Sequence, residues 1–155
     1  MSEVVIRPAQ GGEAEILTAL CVRSKAHWGY DDRFMRLSQA SLTVTSADIA
    51  SGRVLVASDD DRIVGVARVE PDGELGVMFV DPPAMGRGAG RLLFDAAAAL
   101  ARRLGARSMP ILADPNAAPF YERMGARFVS YAPSDAIPGR TLPLYEYDLT
   151  RGNAP

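Results

Sequence analysis

The chain is short of the residues that build metal and redox chemistry. Its 155 residues include one cysteine, Cys21, one histidine, His27, and one tryptophan, Trp28. A single cysteine excludes an internal disulfide and a cysteine zinc cluster, and no metal is expected in any role. A basic excess is missing as well: the formal net charge is −2 and the pI about 5.4, which argues against a nucleic-acid binder. No apolar run approaches the roughly 20 residues of a membrane span. The start MSEVVIRPAQ lacks the charged n-region and apolar core of a signal peptide. These absences leave a cytoplasmic protein with no nucleic-acid or membrane partner. No internal repeat is visible, and 48% hydrophobic with 23% charged residues suits one domain over 1–150, followed by a frayed tail at 151–155.

What is present is organised around residues 75–93, LGVMFVDPPAMGRGAGRLL. Leu75 to Val80 has the length and apolar character of a strand and is closed by Asp81-Pro82-Pro83. Gly86-Arg87-Gly88-Ala89-Gly90 follows, and a helical pattern then runs from Arg91 to Leu104 and stops at Gly105. Strand, glycine-rich turn and helix start together make an anion cradle. The first N–H groups of a helix lack internal partners and sit at the positive end of its dipole, and glycine lets backbone approach phosphate oxygens closely. Arg87 and Arg91 add full positive charge. The dinucleotide fingerprint G-x-G-x-x-G fails in both registers, since its last position falls on Arg91 or Leu93, and the G-K-[ST] of a P-loop is absent.

Around this centre the pattern predicts a first strand at Val4–Ile6 and an amphipathic helix from Glu13 to Ser24, with Ile16, Leu17, Leu20 and Cys21 on its apolar stripe. Cys21 on that stripe reads as a buried hydrophobe. A second helix is expected from Asp32 to Gln39, and a helical turn over Thr45–Ser51 capped by Ser46. Arg53–Ser58, Ile63–Val69 and the strand ending at Val80 form an antiparallel meander. Ser108–Ala113 is a strand parallel to the last of these, because a helix crosses between them. Ala117–Met124 is a short helix that Asn116 is placed to cap, and Arg127–Tyr131 and Leu144–Leu149 are the closing strands.

The V-D-P strand end followed by x-x-G-x-G, with Gly88 and Gly90 as its glycines, resembles the pyrophosphate motif of the GNAT superfamily, the acyl-CoA-dependent N-acetyltransferases. Asn116-Ala117-Ala118-Pro119-Phe120-Tyr121-Glu122-Arg123-Met124-Gly125 is similar to that family's N-x-x-x-x-F-Y-x-x-x-G segment, and the order of elements agrees over essentially the whole chain. The resemblance implies an α/β (α+β) fold: a single mixed, largely antiparallel seven-stranded sheet, flanked by about four helices, with a splayed pair of parallel central strands. It implies acetyl-CoA as cofactor, held by Phe79, Val80, Met85, Gly86, Arg87, Gly88, Ala89, Gly90, Arg91, Asn116, Phe120 and Tyr121. Met85 departs from the family, which usually carries Gln or Arg there.

The implied reaction is attack of a primary amine, of a small molecule, on the thioester carbonyl. Tyr121 is the expected general acid, because a phenol stays protonated at neutral pH. For the general base, Glu74, Asp81 and His27 stay open, as does a chain of waters. His27, Trp28, Tyr30 and Arg140 are expected to line the acceptor site, the aromatics as a wall and Arg140 as a carboxylate clamp. A homodimer is compatible with the sequence. A non-catalytic acyl-CoA-binding sensor or interaction module of the same fold is the alternative. Protein acetylation would need an open peptide groove, against which the aromatics at 27–30 argue.

Overall fold

β-Branched runs separated by polar turns build a first sheet. A computed structural model describes residues 3–150; the tail expected at 151–155 lies outside the described residues. Strands β1 (Val4–Pro8), β2 (Val54–Asp59), β3 (Arg62–Val69) and β4 (Leu75–Val80) pair antiparallel in the order β1-β2-β3-β4. Strands β5 (Ser108–Leu112), β6 (Arg127–Pro133) and β7 (Thr141–Asp148) form a second antiparallel sheet in the order β5-β7-β6. β7 begins earlier than its apolar pattern suggests, because Thr141, Leu142 and Pro143 pair with Pro133, Ala132 and Tyr131.

The seven expected strands are thus present, but the single sheet is divided where the parallel pair was placed. A Cβ on Gly73, just before β4, would lie 2.5 Å from the Cβ of Ala106 and 3.5 Å from the Ser108 carbonyl, so β4 and β5 set out side by side. No ladder joins them. One cause is local. Ala113 N–H donates to Pro143, and Leu149 N–H to Arg107, so residues 107, 109, 111 and 113 face β7. Alternation then turns residue 110 toward β4, and residue 110 is a proline with no N–H to give.

Helices cover both faces. Helices α1 (Ala14–Ala26), α2 (Asp32–Ser38) and α3 (Ser46–Ala50) lie between β1 and β2, α4 (Ala89–Arg103) between β4 and β5, and α5 (Ala118–Arg123) between β5 and β6. Along β2, Val54 and Val56 pack with the α1 core while Leu55 and Ala57 pack with the α4 core. That is why β2 reads as continuously apolar, as a strand buried on both faces does. α1 buries Leu17, Leu20, Cys21 and Ser24, the i, i+3, i+4, i+7 stripe. Ile16, expected on that stripe, is 55% exposed. Cys21 is fully buried, and burial pushes its thiol up to about 12.

α4 buries Leu93, Phe94, Ala97, Ala98 and Ala101, each buried leucine contributing about 2 kcal/mol. It lies so close to the sheet that a Cβ on Gly65 of β3 would meet Leu93 Cδ1 at 2.6 Å. α3 starts one residue ahead of expectation: Thr45, not Ser46, accepts from the Asp48 N–H, and Asp48 accepts from the Thr45 N–H in return. Among the described residues no helix is long and apolar enough to cross a membrane.

Candidate active site

The parting of β4 from β5 opens a cleft of about 720 Å³, lined along its length by Gly76–Val80 on one side and Ile111–Ala113 on the other. This size suits a small organic ligand. Because Asp81 N–H donates to Val64 and the register is regular from Gly65↔Val80 to Ala67↔Met78, residues 79 and 81 face β3. The backbone groups of Met78 and Val80 face the cleft instead. Phe79, expected to offer its amide to a cofactor, lines the cleft with other atoms while its N–H belongs to the β3 ladder.

At one end of the cleft the chain turns through Gly86 and Gly88, at φ +83 and +88, into α4. None of the N–H groups of Gly88, Ala89, Gly90 and Arg91 donates to a protein acceptor among the described residues. A Cβ placed on Gly86 or Gly88 would meet nothing within 4 Å, so open space borders the turn that leads into these amides. Unpaired donors, an N-terminal helix dipole and free space together fit an oxyanion of the phosphate class. Met85, Gly86, Gly88, Gly90 and Arg91 line the cleft. Arg87 and Ala89 do not: Arg87 is exposed and Ala89 is packed under α4 in the core. Of the two arginines expected beside the cradle, only Arg91 is brought to it.

Gly90 also fixes α5. Its absent Cβ would lie 3.2 Å from the Phe120 ring, so the aromatic packs directly on the helix start. Phe120 and Tyr121 meet edge to face with centroids 5.3 Å apart, and both pack on Phe94. Tyr121 is buried, lines the cleft, and its hydroxyl has no protein hydrogen-bond partner among the described residues. Burial, with a smaller push from Asp114, raises its phenol well above the usual tyrosine range. It therefore keeps its proton at physiological pH. Asn116 lines the cleft but does not cap α5, whose N-cap is Ala117. Its Nδ2 donates to the Tyr30 hydroxyl at 3.2 Å.

The three base candidates separate cleanly. Glu74 lines the cleft, and its carboxyl is raised by burial first and then by Asp72, Glu70 and Asp135, with Arg68 opposing. His27 is exposed at the C-terminal end of α1, edge-on to Trp28 at 5.3 Å. It borders a separate depression shared with Ile16, Arg23 and Asp81, so the structure does not bring it to the cleft, either as base or as acceptor contact. Asp81 is buried in an ion pair, accepting from Arg23 Nε at 3.2 Å and Nη2 at 3.3 Å. Asp81 borders the outer depression and is not among the residues that line the cleft. Asp81→Asn is expected to weaken that pair by about 1 kcal/mol, lowering Tm by about 2–4 °C in thermal unfolding, with unchanged kcat.

Trp28 and Arg140 line the cleft, while Tyr30 stands beside them, stacked on Phe34 at 3.9 Å and 6°. Pattern reading missed Lys25 and Asp114, which also line the cleft and pair at 2.6 Å. The one available signal was Asp114-Pro115-Asn116 directly after a strand, ahead of the aromatic motif. Among the described residues no group of three or more His, Cys, Asp or Glu side chains could hold a metal ion.

The same fold recurs in other proteins. Residues 32–134 match the family described as acetyltransferase (GNAT) domain. No curated protein sequence matches the chain. Among solved structures, a GCN5-related N-acetyltransferase from Rhodopseudomonas palustris is 26% identical with a TM-score of 0.78, covering 96% of this chain and 97% of its own. The PaiA N-acetyltransferase of Thermoplasma acidophilum, solved with coenzyme A, is 14% identical with a TM-score of 0.74, over 94% and 99%. YncA of Salmonella typhimurium, solved with its cofactor acetyl-CoA, is 23% identical with a TM-score of 0.68, over 99% and 98%. With two thirds of its length matched to the domain family, and a divided sheet whose gap opens onto an unpaired helix start, this chain belongs to the GNAT acetyltransferases.

Proposed function

We propose that the chain transfers the acetyl group of acetyl-CoA to the primary amine of a small molecule. The observation that carries this reading is the alignment of three features in one cleft: the unpaired amides at Gly88–Arg91, the outward backbone of β4, and Tyr121. Bound acetyl-CoA supplies an activated acyl group as a thioester. The amides opening α4, with Arg91, hold its diphosphate, and the Met78 and Val80 N–H groups offer donors to its arm and its carbonyl. Met85 gives no charge to that site, so the backbone carries the binding. That related structures contain coenzyme A or acetyl-CoA supports this placement.

Tyr121 donates a proton to the departing sulfur, and Glu74 accepts the proton that the amine sheds. Trp28 and Arg140 contact the acceptor; Arg140 keeps Nη1 and Nε without protein acceptors among the described residues, so a carboxylate on the acceptor has donors to meet. The proposal extends to residues 1–150 acting as one cytoplasmic domain. The test is release of free thiol from acetyl-CoA across a panel of amines. Saturable CoA binding with no thiol release from any amine would instead identify a non-catalytic acyl-CoA-binding module.

Glu74 gives a sharper check. Its carboxylate form is the base, so kcat/KM should rise with pH through a value above the ordinary 4.5 and then level off. Glu74→Gln should lower kcat/KM by about a hundredfold and remove that acid limb. Stability moves the other way. A carboxyl raised by folding contributes stability below its unfolded pKa, and that contribution is lost as pH rises through the folded value. At neutral pH Glu74→Gln should therefore melt no lower than the wild type. An unchanged acid limb would remove Glu74 from the base role, and a lower Tm would show that folding does not raise its carboxyl.

A further inference from the structure

A carboxylate that accepts three hydrogen bonds from three different residues lies outside both recognition motifs. Asp114 Oδ2 accepts from Lys25 Nζ at 2.6 Å and from the Tyr30 hydroxyl at 2.8 Å, and Oδ1 accepts from the Asn116 N–H at 2.8 Å. Tyr30 gives its one proton to Asp114 and accepts from Asn116 Nδ2 at 3.2 Å and Arg140 Nη2 at 3.0 Å. Its hydroxyl is therefore saturated. Burial alone would raise the Asp114 carboxyl, but Lys25, the Asn116 amide and Tyr30 outweigh it and hold it low.

These bonds join three distant segments: the end of α1 with its following turn, the β5–α5 turn, and the β6–β7 loop. Among the described residues, every hydrogen bond from residues 25–34 to either of the other two segments runs through Asp114 or Tyr30. Arg140 further lies over the Phe34 ring at 4.8 Å, on the stack that Phe34 makes with Tyr30. Two cations face one carboxylate, and it is Arg140, 3.9 Å from Asp114, whose charge is the less matched.

We infer that Asp114 and Tyr30 are positioning residues that crosslink the α1–α2 segment to the β6–β7 loop, presenting Lys25 and Arg140 as one preformed acceptor-side wall of the cleft. The acceptor-side label rests on the acetyl-transfer reading; the crosslink itself does not. The chemistry is selective for a carboxylate at 114. An amide there would turn its NH2 either toward Lys25 and Tyr30 or toward the Asn116 N–H, and both sides present donors. Tyr30→Phe keeps the stack on Phe34 and deletes only the shared hydroxyl, so it isolates the crosslink from folding.

The test uses Asp114→Asn, Tyr30→Phe and the double variant, read by amide hydrogen exchange over residues 25–34 and 134–140 and by acceptor KM. Both single variants should speed exchange in residues 134–140 and raise acceptor KM about tenfold, the loss of one hydrogen bond to a charged group, with kcat changed less than about threefold. The double variant should be no worse than the more severe single one, because Asp114 orients the Tyr30 hydroxyl to which Arg140 donates, so both substitutions act on one link. Unchanged exchange at 134–140 in both single variants, or additive effects on KM, would overturn the inference. So would faster exchange with unchanged KM. If the wild type acetylates no amine, the acetyl-transfer reading fails on its own, and exchange alone decides the crosslink.

Discussion

Replacing Tyr121 with phenylalanine is expected to lower kcat by about a hundredfold while CoA affinity stays within about twofold of wild type. The ring makes the packing contacts, edge-on to Phe120 and tilted on Phe94, and phenylalanine keeps them. Only the hydroxyl is lost, and among the described residues it has no protein partner to orphan. A general acid acts when sulfur departs, so its removal falls on the chemical step and not on ground-state binding. Burial keeps the phenol protonated, so the wild-type pH profile should show no basic limb from this residue below pH 9 or so. Because a polar group leaves an apolar neighbourhood, the variant should melt at the wild-type temperature or slightly above. Single-turnover measurement of thiol release, with CoA titration alongside, checks both halves. An unchanged kcat removes Tyr121 from the mechanism.

Tyr121 and the cradle were legible in the sequence because their signals are local. Glycines at left-handed positions, prolines ending a strand and an aromatic pair four residues before a glycine all act within about ten residues of chain. The cluster around Asp114 was legible only in part: Tyr30 and Arg140 were named from the resemblance, whereas Lys25 and Asp114 were missed, because the bonds that gather these residues span 84 to 110 positions. His27 shows a second limit. His27 and Trp28 are adjacent in the turn after α1 and meet edge to face, yet one borders the outer depression and the other the cleft. Composition drew attention to both; the path of the turn after α1 decided between them. Glu74 and Asp81 bracket one strand, and only tertiary packing set Asp81 against Arg23 and left Glu74 facing the cleft. The splay of the central strands was expected from family resemblance, whereas the full division into two sheets and its local cause at Pro110 required knowing which neighbour each backbone group faces.

The cradle is where a side chain should do most harm to binding. Gly88→Val is expected to weaken CoA affinity by about a hundredfold, corresponding to about 2.7 kcal/mol. Two separate effects follow from the substitution, and they register in different measurements. At φ +88 any L-residue is strained by about 1–2 kcal/mol, and a β-branched one more so. That strain is present with or without ligand, so it lowers Tm, by about 3–6 °C in a chain of this size, and largely cancels from binding. The second effect does not cancel. No atom lies within 4 Å of the position a Cβ would take, and Gly88 lines the cleft, so the isopropyl group would occupy open space beside the start of α4. Oxygens of the diphosphate are then held off one or more of these donors, at about 1.5–3 kcal/mol for each hydrogen bond to a charged group. Gly88→Ala, with less bulk in the same space, should share most of the Tm loss but weaken CoA less. Valine and alanine should therefore differ in Kd more than in Tm. A folded Gly88→Val protein with wild-type CoA affinity would show that the diphosphate lies elsewhere, and the placement of the cofactor along the gap between β4 and β5 would go with it.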